Sequence, residues 1–172
     1  MQIAIIGAGN ILYKDDGFGV YAIKYLEENF IFPNNITLVD GGAIGFKLIE
    51  YCLTFDTVII LDTIFTDDCD GTIYNMPSSE FLDITKTKHT AHEVEITTAI
   101  QMSMLCEKKA DVFVVAITPK DIISIQIGLS KTLEDRFFDF IDEVLTTLKK
   151  LSIAPAKKPK TKNLQEIIAL YA

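Results

Sequence analysis

The chain has 172 residues, 49% of them apolar and 23% charged, which is enough for one α/β domain with its own core, too little for two, and too apolar for disorder. Its net charge of −8 is unevenly spread: four lysines against one glutamate give +3 over residues 155–172, leaving −11 for residues 1–154, and so acidic a body repels nucleic-acid phosphates. No apolar run approaches the roughly 18 residues that cross a bilayer, and three scattered cysteines with no CxxC pair exclude a disulfide framework or zinc knuckle, so the expectation is a cytoplasmic protein with no membrane and no nucleic-acid partner.

QIAIIG (2–7) carries no basic lead and reads as a first strand, not a signal peptide. The glycine-rich stretch GAGNILYKDDGFG (7–19) follows it. Gly7 and Gly9 stand as they would ahead of a phosphate, yet Asp15 and Asp16 occupy the place where the phosphate charge would rest. Residues 16–30 read as a helix, with Val20, Ile23 and Leu26 as its apolar stripe. ITLVD (36–40) is a second strand running into Asp40-Gly41-Gly42, and 43–54 a second helix. TVIILD (57–62) is an almost wholly apolar strand closed by Asp62, a carboxylate that needs compensation if buried.

TIYNM (72–76) is a fourth strand. Residues 91–107 form a helix opened by Thr90-Ala91-His92-Glu93, the S/T-x-x-E capping box in which threonine caps one free amide and glutamate reaches back to another. DVFVVAI (111–117) is a fifth strand, and 132–151 a last long helix with Thr132 and Asp135 as a weaker cap. Beyond Ile153 the pattern stops: APAKKPKTKN reads as a flexible linker, and LQEIIALYA as a short amphipathic helix or a frayed tail. The division is therefore a domain over 1–153 and a basic linker with a short C-terminal helix over 154–172. Strands alternating with helical stretches specify an α/β sheet covered on both faces.

In such a sheet, residues at the carboxyl ends of parallel strands meet on one rim. Asp16 begins the helix after the first strand, Asp62 ends the third, and His92 lies in the first turn after the fourth. Two carboxylates and an imidazole suit a divalent transition metal, and a helix N-terminus favours the neutral, ligating imidazole. Taken singly, each has a plain structural reading: a cap for Asp15 or Asp16, a solvated surface residue for His92. His89 reads as a loop residue, and no serine or cysteine sits in a nucleophile elbow.

Two rival readings fit parts of the pattern. A dinucleotide-binding oxidoreductase would use Asp40 as its ribose acid, but Leu12 stands where the third glycine belongs. Charges about 4 Å apart would also cost on the order of 4 kcal/mol against a pyrophosphate at an effective dielectric near 20. A phospho-acceptor receiver domain would use Asp15, Asp16, Asp62 and Lys120. Its acid pair should directly follow the strand, whereas residues 7–14 intervene here, and His92 is left with no role.

GAGNILYKDDGFGV, LVDGG, IILDT, the TAH at 90–92 and the IGLS at 127–130 together resemble the hydrogenase maturation endopeptidases, in order from residue 1 to about 150. The resemblance implies a three-layer αβα sandwich with a twisted, largely parallel five-stranded sheet. It implies a catalytic and metal-binding set of Asp16, Asp62 and His92, with Asp15, Asp40, Gly41 and Gly42 bordering the cleft. The family often has glutamate at the position of Asp16, so the shorter carboxylate here alters the reach by one methylene. The implied activity removes a C-terminal extension from the large-subunit precursor of a NiFe hydrogenase. The nickel arrives with that substrate, cadmium or zinc are expected to fill the same donors in vitro, and the enzyme is expected to be a monomer.

Overall fold

The computed structural model describes residues 1–85, 91–106 and 110–172, and for residues 91 and 92 the backbone alone. Five strands form one sheet: β1 (Ile3–Ala8), β3 (Ile36–Gly42), β4 (Thr57–Thr63), β5 (Ile73–Pro77) and β6 (Asp111–Ile117), in the order β3-β1-β4-β6-β5. β1 and β4 lie in the middle and are buried at every position, as their apolar runs require.

Alternation along the strands divides the core. Ile3, Ile5, Ile59, Leu61, Val115 and Ile117 face one side of the sheet, while Ala4, Ile6, Val58, Ile60, Val114 and Ala116 face the other. The first face is covered by α1 (Phe18–Asn29), α5 (Lys131–Lys150) and α6 (Leu164–Ile168). Phe18 meets the rings of Phe137 and Phe140 there, at centroid distances of 5.4 and 4.8 Å. The second face is covered by α2 (Leu48–Thr54), α3 (Ser78–Ile84) and α4 (Ala91–Met104). Helices on both faces of a mixed five-stranded sheet make the expected three-layer sandwich.

The structure corrects three expectations. First, β5 runs antiparallel to β6 at the sheet edge, so its carboxyl end points away from the common rim. The unanticipated α3 follows β5 and packs beside β5 and β6. Second, α5 starts at Lys131 with Ser130 as N-cap and no side-chain cap bond, and Asp135 instead accepts from Lys131 Nζ at 2.6 Å. Third, part of the stretch read as a linker is tied to the body. Ala156–Lys157 (β7) pairs antiparallel with Phe30–Ile31 (β2), and α6 opens with a complete capping box between Asn163 and Glu166.

Candidate active site

The loop after β1 is fixed by close backbone contacts. Gly9 has φ +128°, and a Cβ there would lie 1.8 Å from the Asp16 carbonyl oxygen. A Cβ on Gly19 would lie 2.1 Å from Leu61 O and 2.3 Å from Ala8 O, both backbone atoms. These glycines therefore serve proximity: the first turn of α1 rests on the carboxyl ends of β1 and β4. That contact brings Asp16 to the rim where Leu61 runs into Asp62.

Asp15 and Asp16 lie in a 3-10 turn, Lys14–Gly17, where successive side chains are about a third of a turn apart and point in different directions. Asp15 points inward and is 0% exposed. Its Oδ2 accepts the N–H groups of Lys120 and Asp121 at 3.1 and 2.9 Å, and its Oδ1 accepts that of Ser130 at 2.6 Å. It is thus the fastening of the segment after β6. Asp16 is half-buried, and its Oδ2 accepts the Asn10 N–H at 2.9 Å, closing the glycine loop onto itself.

Asp62 is 1% exposed at the end of β4, with Oδ1 accepting the Thr63 N–H at 2.8 Å. Glu93, in the first turn of α4, is buried and accepts the Phe65 N–H at 2.7 Å. That bond holds the start of α4 against the segment leaving β4, so the backbone of His92 shares the turn that meets the Asp62 rim. Sequence reasoning read Glu93 only as a cap; its spacing gave no sign of a partner 28 residues earlier. The His92 side chain lies outside the described residues, as do Thr90 and His89. Among the described residues no three His, Cys, Asp or Glu side chains form a metal-holding group.

Asp40, Gly41 and Gly42 border the same rim. The register of β1 with β3 shifts between Gly7 and Ala8, which leaves Gly41 as the extra residue, and Gly42, with φ +50°, accepts the Gly9 N–H at 2.9 Å. Asp40 is exposed and accepts a hydrogen bond from the Tyr171 hydroxyl at 3.2 Å. A cavity of about 310 Å³ opens between these elements, walled by Gly9, Asn10, Asp40, Gly42 and Tyr171 among others. Tyr171 was missed by sequence reasoning, since nothing in LQEIIALYA marks a tyrosine bound for a site more than a hundred residues upstream.

The arrangement tells against both rival readings. Asp15 is committed to three backbone donors, so the three-acid pocket of a receiver does not form, and Lys120 contributes its backbone N–H while its side chain is exposed. The loop that would cradle a pyrophosphate is closed by the Asp16 carboxylate itself.

Comparison with known proteins agrees with the family resemblance of the sequence. A family profile described as hydrogenase maturation protease matches residues 20–147. The chain is 31% identical over 153 residues to a putative hydrogenase maturation protease of Methanocaldococcus jannaschii, an alignment covering 87% of this chain and 97% of that one. It is 27% identical over 157 residues to the hydrogenase 2 maturation protease of Escherichia coli, covering 89% and 94%. In fold it is similar to the hydrogenase maturating endopeptidase HybD from E. coli, with a TM-score of 0.85 at 24% identity over 92% of this chain and 98% of that one.

Proposed function

Because the chain belongs to the hydrogenase maturation protease family, we propose that it is an endopeptidase that removes the C-terminal extension of a NiFe-hydrogenase large-subunit precursor during hydrogenase maturation. The match of the family profile over residues 20–147 carries this reading. The rim supports it: Asp16 lies in the turn after β1 and Asp62 near the end of the neighbouring β4, and a cavity bordered by Asp40 and by Asn10, whose N–H Asp16 accepts, opens there.

The finer reading concerns the substrate's metal. Asp16, Asp62 and the imidazole of His92 would hold the nickel carried by the precursor. Carboxylate and imidazole donors suit a borderline divalent ion and leave positions for the substrate's own ligands. A divalent ion so held supplies Lewis acidity toward a peptide carbonyl or a water. The chain's own residues then have distinct tasks. Asp16, fixed through the Asn10 N–H, presents its carboxylate at a set angle; Asp62, held by Thr63, presents another from the end of β4. Asp40 borders the rim cavity and is a candidate to accept a proton. The working form is a monomer in the cytoplasm.

The test is incubation of the purified protein with nickel-loaded and nickel-free precursor, followed by mass spectrometry. Loss of one C-terminal peptide from the nickel-loaded form alone is expected. Equal cleavage of both forms would refute metal recognition while leaving the protease reading standing.

A further inference from the structure

β1, β3, β4 and β6 run parallel, so the segments that follow them all leave the sheet at one end, the end that carries Asp16 and Asp62. Those segments hold large apolar side chains out in water: Leu12 and Tyr13 after β1, Phe46 after β3, Phe65 after β4, and Ile123 and Ile125 after β6. Ile123 and Ile125 are 86% and 80% exposed, so burial in the fold does not account for them. A single exposed isoleucine needs no explanation, whereas apolar side chains gathered into one patch mark an interaction surface.

The backbone gathers four of them. Tyr13 and Gln126 form a parallel bridge, in which the Gln126 N–H donates to the Leu12 carbonyl and the Lys14 N–H to the Gln126 carbonyl, each at 3.0 Å. In that register Leu12 stands beside Ile125, one residue before the bridge on each side. Asp121 fastens the next turn: its Oδ1 accepts the N–H groups of Ile123 and Ser124 at 3.2 and 3.0 Å, and its Oδ2 accepts from Lys14 Nζ at 3.1 Å. Asp15 anchors the start of the same segment through the N–H groups of Lys120 and Asp121. The isoleucines are thus presented on a fixed backbone. The fastening also reaches the second acid, because Asn10 gives its N–H to Asp16 while its Oδ1 accepts the Leu12 N–H at 3.0 Å.

We propose that Leu12, Tyr13, Ile123 and Ile125 form the seat for the folded body of the protein substrate, which covers them with an apolar face of its own beside the acids. This rests on the protease reading and adds the surface that holds the precursor in place. Charge selects the occupant. Residues 1–154 carry a net −11, so a second copy of the chain or an anionic membrane approaching this end meets like charge. A precursor bearing a divalent cation brings the opposite sign to Asp16 and Asp62, and the apolar seat lies on the same end of the sheet. Contacts remote from the scissile bond are the same in the bound substrate and in the transition state. Their loss should therefore raise KM and leave kcat in place.

The experiment measures kcat and KM for the full chain on nickel-loaded precursor, with sedimentation of each protein alone. One double variant joins Ile123→Glu to Ile125→Glu, and a second joins Ile123→Ser to Ile125→Ser, which changes no charge. Ile31→Glu is the control, an exposed apolar position on β2 just ahead of the amino end of β3. The glutamate pair should raise KM on the order of 10- to 100-fold, as loss of central interface contacts does, with kcat within a few-fold and the thermal midpoint unchanged. The serine pair should raise KM several-fold, which separates lost apolar contact from added repulsion, and Ile31→Glu should leave KM as it was. An unchanged KM in both double variants would overturn the inference and leave the protease reading standing. So would a fall in kcat alone, or a dimer of the unaltered chain that the glutamate pair dissolves without moving KM. Failure of the unaltered chain to cleave any nickel-loaded precursor would remove the protease reading and this inference with it.

Discussion

Asp15 and Asp16 are neighbours in the chain, and the structure gives them different work; Asp15→Ala is the perturbation that separates the two. Asp15 is fully buried and is the acceptor for the N–H groups of Lys120, Asp121 and Ser130. Alanine leaves those donors without it. The bond to Ser130 is buried, and losing it costs about 2–3 kcal/mol; the other two are part-buried, can gain water, and cost about 1 kcal/mol each, for a total of about 4–5 kcal/mol. Against a typical stability of about 5–15 kcal/mol that is a large fraction. Urea denaturation should show the loss as a lowered midpoint, and hydrogen exchange should show the Ser130 and Lys120 amides opening first. Asp15→Asn keeps one acceptor oxygen and should cost about half as much. Under conditions where it is folded it should still cleave within a few-fold of the unaltered rate, whereas Asp16→Asn should lose on the order of 100-fold or more. A loss below about 1 kcal/mol for Asp15→Ala, with the Ser130 amide still protected, would refute this division of roles.

Gly19→Ala places a methyl 2.1 Å from Leu61 O and 2.3 Å from Ala8 O, so α1 must lift from the sheet; thermal unfolding should show a loss of about 3 kcal/mol or more, and a loss under about 1 would mean the helix start has room. Glu93→Ala removes the acceptor of the Phe65 N–H and should cost about 1–3 kcal/mol, with faster exchange of that amide; unchanged exchange would mean α4 is held at its start by other contacts. Burial raises the pKa values of Tyr21, Tyr25 and Tyr171 above the ordinary value near 10, so their stabilisation is complete below about pH 10 and is lost as pH rises through the folded values. Denaturation midpoints should therefore fall above pH 10, less steeply in Tyr171→Phe; identical slopes would remove Tyr171 from that balance.

Much of this was legible because burial writes itself into composition. β1, β4 and β6 are nearly continuous Val, Ile, Leu and Ala, and Asp62 stands out as the one acid closing such a run. Strand direction was not legible. Period-two alternation fixes which face a side chain takes and says nothing about whether the strand runs up or down, so IYNMP read the same in either sense. α3 was hidden because its seven residues bury only Phe81, too little to make a stripe. The strap at 156–171 was hidden for a different reason: its partners, Phe30, Ile31, Asn29 and Glu28, lie about 130 residues upstream, and lysines beside prolines look solvated whatever they bind. Propensity is local, and these contacts are not.

The same limit explains why the acid pair could be found but not apportioned. A glycine loop ending in two carboxylates is unsuited to an anion, and that much follows from charge alone. Which acid makes which contact depends on the 3-10 turn, which puts Asp15 against the segment after β6 and Asp16 against the glycine loop. One carboxylate thus fastens the segment after β6 while its neighbour closes the glycine loop. Neither can replace the other, because shifting the pair by one residue would turn the fastening outward and leave three amides of the 120–130 segment without their acceptor. The charge motif and the fold are therefore one constraint: the loop carries two acids because one anchors the 120–130 segment and the other closes the glycine loop at the rim.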